Sequence, residues 1–179
     1  MTTRDLVHIA LFAALTAALG LFPPLTMPVT GVPVTAQSMG VMLAGALVGA
    51  RRGGLALVLF VALVAVGLPL MAGGRGGLGV LQGPSGGFVL GFPVAAFVIG
   101  WLFDRHRGAP VPVGLAIGYL LLGGVAVLYL IGVPWLAMVG GLPFDKALIG
   151  SAVYLPGDLL KAVLTALIAR AVRRAYPGL

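Results

Sequence analysis

The sequence predicts an all-α integral membrane protein with six transmembrane helices. Of its 179 residues, 60% are hydrophobic and only 8% are charged, and the mean hydropathy is +1.16. A soluble domain typically carries about a quarter charged residues. Apolar stretches close to the length of about 20 residues that a spanning helix needs recur along the whole chain. We therefore expect residues 1–179 to form a single transmembrane domain.

Six apolar segments are the candidate spans, and they are named here in chain order. The first three are Leu6–Phe22, Ala36–Ala50 and Gly53–Leu70. The next three are Phe88–Phe103, Val111–Gly132 and Ala147–Val172, the last of which is interrupted at Pro156 and Gly157. The second and fourth are short and need interfacial residues at their ends. We interpret the first as a span and not as a cleaved signal, because no small-residue cleavage site with a soluble domain follows it.

Basic residues between these segments predict the orientation of the chain. With six spans, one side of the membrane receives Arg4, Arg51, Arg52, Arg105, Arg107, Arg173 and Arg174. The other side receives only Arg75 and Lys146. Because basic residues accumulate on the cytoplasmic side, we expect both termini there. The same distribution argues against a nucleic-acid partner despite the net charge of +7, since the basic residues do not form one soluble surface.

The three outer links are predicted to be long loops rich in glycine and proline. They are Pro23–Thr35, Met71–Gly87 and Val133–Asp145. Long structured loops on one face usually carry function. We therefore expect the ligand to bind at the outer face.

An acid and an amine lie within the apolar sixth segment. Asp158 and Lys161 are three residues apart and share a helix face. A charge inside a membrane helix costs about 3 kcal/mol or more unless it is partnered. One interpretation is a structural ion pair. In the other, Asp158 accepts hydrogen bonds from ligand N–H groups and Lys161 donates to a ligand oxygen or carboxylate.

The second outer link contains a glycine-rich stretch around Arg75. Residues 73–79 satisfy G-x-G-x-x-G at Gly74, Gly76 and Gly79. No βαβ unit and no acid about 20 residues later accompany this match, so we reject a dinucleotide site, and no Walker lysine is present. We interpret the stretch as a compact re-entrant cap over the ligand. Arg75 either meets an anion there or is a solvated loop residue.

Two further features each allow two interpretations. Gln37, at the start of the second segment, offers a donor and an acceptor either to a ligand or to another helix. Ala10, Ala14 and Ala18 recur every four residues in the first segment. Small residues at this spacing allow close helix approach, which serves either packing within the bundle or docking of a second membrane subunit.

The sequence offers no catalytic constellation. It contains no cysteine, and His8 and His106 have no companions at metal-ligand spacing. No nucleophile has a histidine base in a recognisable pattern. We therefore expect neither an enzyme nor a cofactor or metal.

Several motifs occur together along the chain: Pro33-Val34-Thr35-Ala36-Gln37 and residues 43–49, 73–79, 83–87 and 154–161. Together they resemble the BioY family, the biotin-specific S component of energy-coupling factor vitamin transporters. The resemblance extends over nearly the whole chain, from the first segment to the sixth. It implies six helices, cytoplasmic termini, and a biotin site under the outer loops, in the cytoplasmic (inner) membrane of a prokaryote.

The resemblance also implies partners and site residues. The partners are biotin, the lipid bilayer, a transmembrane T component that docks through Ala10, Ala14 and Ala18, and a pair of cytoplasmic ATPases. The candidate biotin-binding residues are Asp158, Lys161, Arg75, Gln37, Tyr154, Gly83 and Ser85. Asp158 suits the ureido N–H groups, Lys161 suits the ureido carbonyl or the carboxylate, and Arg75 is an alternative for the carboxylate. Uptake with or without the ATPases is open, as are a different small vitamin and a non-transporting membrane scaffold.

Overall fold

The structure is a computed structural model, and it describes residues 1–26, 32–106 and 111–176. Within these ranges the chain is almost entirely helical. The helices are α1 (Thr3–Ala18), α2 (Gln37–Ala65), α3 (Leu78–Gln82), α4 (Gly86–Asp104), α5 (Val113–Leu121), α6 (Leu128–Gly140), α7 (Phe144–Ala152) and α8 (Leu155–Ala175). A 3₁₀ turn (Leu19–Leu21) extends α1, and a π-helix (Leu122–Val127) joins α5 to α6. Two short antiparallel strands, β1 (Leu25–Thr26) and β2 (Pro33–Val34), form the rest of the regular structure.

Several of these helices are long and apolar enough to cross a membrane. Among the residues that the structure describes, four segments qualify: Thr3–Leu21, Gln37–Ala65, Gly86–Asp104 and Val113–Gly140. The α7–α8 pair, which is bent by 49°, qualifies as a fifth if it is taken as one span. The predicted class of helical membrane protein is confirmed, whereas the number of six spans and their orientation stay predictions.

A sharp break at Gly49 divides α2 into two parts. Gly49 has φ +82° and ψ 179°, a conformation that residues with a Cβ rarely adopt. The two parts fold back on each other, because a Cβ on Gly53 would lie 3.0 Å from the backbone of Ala44. The predicted link at Arg51 and Arg52 is therefore helical, and the single residue Gly49 makes the reversal.

Charged side chains bond the backbone groups that this break exposes. Arg173 on α8 donates from Nε and Nη2 to the carbonyl oxygen of Ala46, at 3.1 and 2.6 Å. The backbone N–H of Ala50 donates to Asp104 Oδ2 at the end of α4, at 3.1 Å. We call this region, with Asp5, Ala50, Asp104 and Arg173, the termini end, because it lies beside both the first and the last helix.

The first helix is fastened to the same end. Arg52 Nε lies 2.6 Å from Asp5 Oδ1, so an ion pair joins the first turn of α1 to α2 just after the break. Asp5 also completes a capping box with Thr2, whose hydroxyl accepts from the Asp5 N–H. The start of α1 is therefore held both by its own cap and by α2.

The third predicted outer loop, Val133–Asp145, is wrong in its extent. Helix α6 continues to Gly140, and only residues 141–143 separate it from α7. Pro134 and the neighbouring glycines suggested a loop, but helices in membranes tolerate proline when neighbouring helices support the backbone. Gly141, with φ +63°, ends the helix in the left-handed conformation typical of a glycine C-cap.

The predicted interruption of the last segment exists but lies slightly earlier than expected. The helix breaks at Val153 and Tyr154, and α8 begins at Leu155. Pro156 therefore stands in the first turn of α8 and not at the break itself. In the first helical turn the missing proline N–H needs no partner, so this position suits the residue.

The link after α2 forms a small closed loop before α3. Met71 and Arg75 exchange two backbone hydrogen bonds, of 2.9 and 3.2 Å, around Gly73 and Gly74, which both have positive φ. We call residues 71–75 the Arg75 loop. The Arg75 loop, α3 and the short segments on either side of them together form the connection between α2 and α4.

Candidate functional site

A cavity opens between the start of α8, the start of α2, the Arg75 loop and the α4–α6 side of the bundle. Asp158 lies on the same helix as Arg173, fifteen positions earlier, which corresponds to about 22 Å along the axis. The cavity is therefore far from the termini end, and we call this region the cavity end.

The walls of the cavity are largely apolar and aromatic, with a few polar groups. Phe88 and Phe92 come from α4, and Tyr129 follows the π-helix on α6. Phe88 and Tyr129 stack edge to face, with centroids 5.9 Å apart. The π-helix also brings Gly124 to the lining. Irregular turns of this kind often occur at functional sites.

Four side chains form one hydrogen-bonded network in the cavity. Lys161 Nζ lies 3.0 Å from Asp158 Oδ1 and 3.0 Å from Ser38 Oγ. The Tyr129 hydroxyl donates to the other carboxylate oxygen, Asp158 Oδ2, at 2.8 Å. The side chains of Lys161 and Asp158 are only 15% and 9% exposed. Because α8 begins immediately before them, its first turns place both charges on one face at the cavity.

This network retains hydrogen-bonding capacity for a ligand. An ammonium group has three donors, and these contacts use two of those on Lys161. Each oxygen of Asp158 accepts one of these bonds and has a second lone pair. A ligand with N–H donors beside a carbonyl oxygen fits this arrangement. The ion pair and the ligand site, which the sequence left as alternatives, are therefore compatible in one structure.

Arg75 supplies a second polar point on the cavity wall. Its Nε donates to the carbonyl oxygen of Ala72 at 3.1 Å. Its Nη2 is buried and has no hydrogen-bond partner among the described residues. A buried donor without a partner costs free energy, and the cost is greater for a charged group. A carboxylate is the group that best satisfies a guanidinium nitrogen.

Two more of the predicted residues lie at the cavity. The ring of Tyr154 lines it, and the hydroxyl donates to the carbonyl oxygen of Val32 at 3.0 Å. Ser85, which precedes α4, also lines it and is buried. Five of the seven predicted site residues thus meet at one cavity: Asp158, Lys161, Arg75, Tyr154 and Ser85.

The other two predicted residues lie outside the lining. The carbonyl oxygen of Gly83 accepts from Trp135 Nε1 at 3.0 Å, which ties the α3–α4 link to α6. Gln37 is fully buried, and its amide bonds only backbone groups, of Thr16, Leu70 and Ala72. This is the interhelical role that the sequence left open for Gln37.

The three alanines of α1 face outward. Ala10, Ala14 and Ala18 are all exposed, whereas Phe12 and Thr16 are buried against the bundle. The alanines therefore lie on the surface of α1 that the rest of this chain leaves uncovered. Partner docking through them stays a prediction.

Sequence reasoning missed two members of the network, Tyr129 and Ser38. A tyrosine in the most apolar segment was a usable signal, because a buried hydroxyl usually needs a partner. Ser38 gave no comparable signal, since its contact with Lys161 depends on how α2 and α8 rotate against each other. Across the described ranges no group of three histidine or carboxylate residues stands ready to hold a metal ion.

Comparisons with known proteins agree with this geometry. A sequence model of the BioY family matches residues 1–178. The chain is 49% identical to the biotin transporter BioY of Rhizobium etli, over 99% of this chain and 97% of that protein. It is 46% identical to the biotin transporter BioY of Rhodobacter capsulatus, over 98% and 96% of the two chains.

A solved structure is similar to the whole fold. It is described as the S-component for biotin from an ECF-type ABC transporter. The TM-score is 0.91 at 32% sequence identity, and the match covers 97% of this chain and 95% of the other. The arrangement of helices is therefore that of an S component.

Proposed function

We propose that this chain, which belongs to the BioY family, takes up biotin across the membrane as the substrate-binding S subunit of an energy-coupling factor transporter. The observation that carries the proposal is the set of polar groups in the cavity. The Asp158–Lys161 pair keeps spare donor and acceptor capacity, and Arg75 has a buried nitrogen without a partner in the part of the chain that the structure describes. Biotin carries a ureido group and a carboxylate, which need these two kinds of partner. The protein binds and moves its substrate and does not transform it chemically.

The ureido ring binds at the start of α8. Asp158 accepts from a ureido N–H, because each of its oxygens retains a lone pair. The third N–H of Lys161 donates to the ureido carbonyl oxygen. Ser38 and Tyr129 hold the two charged groups in place by hydrogen bonds of 3.0 and 2.8 Å. The apolar thioether ring and chain lie along the aromatic wall of Phe88 and Phe92.

The carboxylate binds to Arg75, the second polar point of the cavity lining. Nη2 of Arg75 is a buried donor without a partner among the described residues, and a carboxylate supplies an ionised acceptor for it. Ser85 and Tyr154 also line the cavity. Gly83 supports this region through the Trp135 contact. This arrangement leaves Lys161 to the ureido group, which is one of the two roles the sequence allowed for it.

The arrangement of the helices supports six spans in one domain, residues 1–179. If α2 counts as two spans that meet at Gly49 and α7–α8 as one, the chain crosses the membrane six times. The termini end then faces the cytoplasm, since Arg51, Arg52, Arg105, Arg173 and Arg174 lie there or next to it. The cavity end faces outward, in the cytoplasmic membrane of a prokaryote.

The exposed surface of α1, which the rest of this chain leaves uncovered, is suited to binding a membrane partner. Ala10, Ala14 and Ala18 present small side chains on an exposed face, so a second helix can approach closely there. We assign this face to the transmembrane T component, which in turn carries the pair of cytoplasmic ATPases. ATP hydrolysis on those subunits drives release of biotin to the cytoplasm.

The test is equilibrium binding of labelled biotin to the purified chain in detergent, with unlabelled biotin, thiamine and riboflavin as competitors. We expect one biotin per chain, displaced by biotin and not by the other vitamins. Displacement by another vitamin at equal concentration would assign the site to a different substrate. A well-folded chain that binds none of them would overturn the proposal and favour a membrane scaffold.

A further inference from the structure

Gln37 connects the first helix to the Arg75 loop. It is 0% exposed, and its side-chain amide makes three hydrogen bonds to backbone groups. Nε2 donates to the carbonyl oxygen of Thr16 on α1 at 3.3 Å and to that of Leu70 at 2.9 Å. Oε1 accepts from the backbone N–H of Ala72 at 3.0 Å. The amide therefore bonds the chain on both sides of Met71, and both of its donors and its acceptor have partners.

Ala72 links Gln37 directly to the guanidinium of Arg75. Its N–H donates to Gln37, and its carbonyl oxygen accepts from Arg75 Nε at 3.1 Å. The two backbone bonds between Met71 and Arg75 close the loop around the same residue. Met71 and Ala72 are buried, whereas Gly73 and Gly74 at the tip are exposed. The buried side of the Arg75 loop is thus the side that Gln37 holds.

Gln37 itself has no room for a ligand contact. It is absent from the cavity lining, and a Cβ on Gly20 would lie only 2.9 Å from its Nε2 and 2.6 Å from the carbonyl oxygen of Leu70. Protein atoms therefore surround the amide closely. Any effect of Gln37 on binding has to pass through the backbone that it holds.

We propose that Gln37 is a positioning residue that sets the affinity for the carboxylate of biotin through the Arg75 loop, without contacting the ligand. The proposal rests on the proposed function and concerns only one end of the site. Without the amide, the Leu70 and Ala72 bonds are lost together, and the carbonyl that orients Arg75 Nε is no longer fixed. The ureido end, on α8 and α2, keeps its own contacts.

The experiment compares two ligands that differ only at the carboxylate, biotin and biotin methyl ester. Binding is measured in detergent for the parent, Gln37→Met, Arg75→Ala and the double variant. Methionine keeps the length of the side chain and removes all three hydrogen bonds. We expect Gln37→Met to weaken biotin about tenfold, in line with the loss of hydrogen bonds that hold a charged group, and to change the ester less than about twofold. The double variant is expected to bind biotin no more weakly than Arg75→Ala alone.

Thr16→Val is the matched control. Thr16 is also fully buried beside Gln37, but its hydroxyl bonds Phe12 within α1, and only its backbone carbonyl reaches Gln37. This variant should leave the ratio of the two affinities unchanged. Gln37→Glu keeps, in its neutral form, an acceptor for Ala72 and one donor, so it should recover part of the lost affinity. If Gln37→Met does not fold, the same comparison is made with Gln37→Glu.

The outcomes separate this proposal from the proposed function. A parent that binds neither ligand contradicts the biotin assignment itself. If the parent binds and Gln37→Met weakens both ligands equally, Gln37 has only a general structural role and the proposal fails. Losses that add in the double variant, or unchanged biotin affinity in Gln37→Met, overturn it as well.

Discussion

The two ends of the bundle use the same kinds of charged residue in different ways. At the termini end, Asp104 bonds the N–H of Ala50 and Arg173 bonds the carbonyl oxygen of Ala46. At the cavity end, Asp158 and Lys161 bond each other and the hydroxyls of Tyr129 and Ser38. Asp104 and Arg173 thus bond backbone groups that a helix break exposes, whereas Asp158 and Lys161 bond side chains around a cavity.

A charge inside a membrane helix is therefore not by itself evidence of a ligand site. Backbone partners at a helix break, such as those of Asp104 and Arg173, indicate that the side chain completes the fold. Side-chain partners with spare hydrogen-bonding capacity, beside a cavity and a guanidinium nitrogen that no described residue bonds, indicate a binding site. The following variants test this distinction, in decreasing order of the change that we predict.

Asp158→Asn is expected to have the largest effect on binding. It removes the charge that is proposed to face the ureido N–H groups and leaves Lys161 without an ionised partner, so biotin affinity should fall about 100-fold or more. Equilibrium binding of labelled biotin measures it. Asp104→Asn is the matched control, and it should bind biotin like the parent but unfold at a lower temperature. The distinction between the termini end and the cavity end is contradicted if Asp104→Asn loses biotin binding and Asp158→Asn keeps it.

Arg75→Ala is expected to weaken biotin about 30-fold. A hydrogen bond to a charged group contributes about 1.5–3 kcal/mol, and the carboxylate loses such a bond here. Biotin methyl ester should be affected far less, because it lacks the negative charge. Competition binding with both ligands checks this expectation. Equal losses of affinity for the two ligands would show that Arg75 does not bind the biotin carboxylate.

Arg173→Met is expected to change stability and not binding. The substitution leaves the Ala46 carbonyl without its two bonds, so the free energy of unfolding should fall by about 1.5 kcal/mol. Thermal unfolding in detergent measures the loss, and labelled biotin tests the unchanged affinity. Arg174→Met is the control, since Arg174 is adjacent but exposed. A loss of biotin affinity in Arg173→Met would mean that the two ends are coupled through α8.

Tyr129→Phe should have the smallest effect. It removes one hydrogen bond to Asp158 and keeps the edge-to-face contact with Phe88, so biotin affinity should fall about fivefold. Tyr119→Phe is the control, because its hydroxyl bonds His106 outside the cavity, at 2.9 Å. Isothermal titration of both variants provides the measurement. An unchanged affinity for biotin in Tyr129→Phe would show that Lys161 alone holds the Asp158 carboxylate in place.

Features that depend on spacing within one helix could be predicted from the sequence. Asp158 and Lys161 share a face because they are three residues apart, and their ion pair follows from that spacing. Composition and hydropathy predicted the membrane class for the same reason, since they need no knowledge of neighbouring helices. Arg75 could be assigned to the ligand end because it is the only arginine in the three predicted outer links.

Features that depend on contacts between distant segments could not be predicted. Ser38 reaches Lys161 only because the rotation of α2 and α8 about their axes turns these two side chains toward each other. Gln37 bonds a segment of the chain that lies 33 to 35 residues later. The extension of α6 past Pro134 was missed because local propensity suggested a loop, while the surrounding helices support a helix there. The reversal at Gly49 could not be predicted because it depends on the positive φ of one glycine among many.

At Gly49 the dipoles of two helices converge. The carbonyl end of one helix carries a partial negative charge and the amide end of the next a partial positive charge. Arg173 lies at the former and Asp104 at the latter, so each side chain complements the partial charge that it faces, and the two full charges sum to zero. Arg51 and Arg174 directly follow Ala50 and Arg173 in the chain and add further positive charge at this end. Arg173 therefore has two roles here: it bonds the junction, and it belongs to the basic residues that predict the cytoplasmic side.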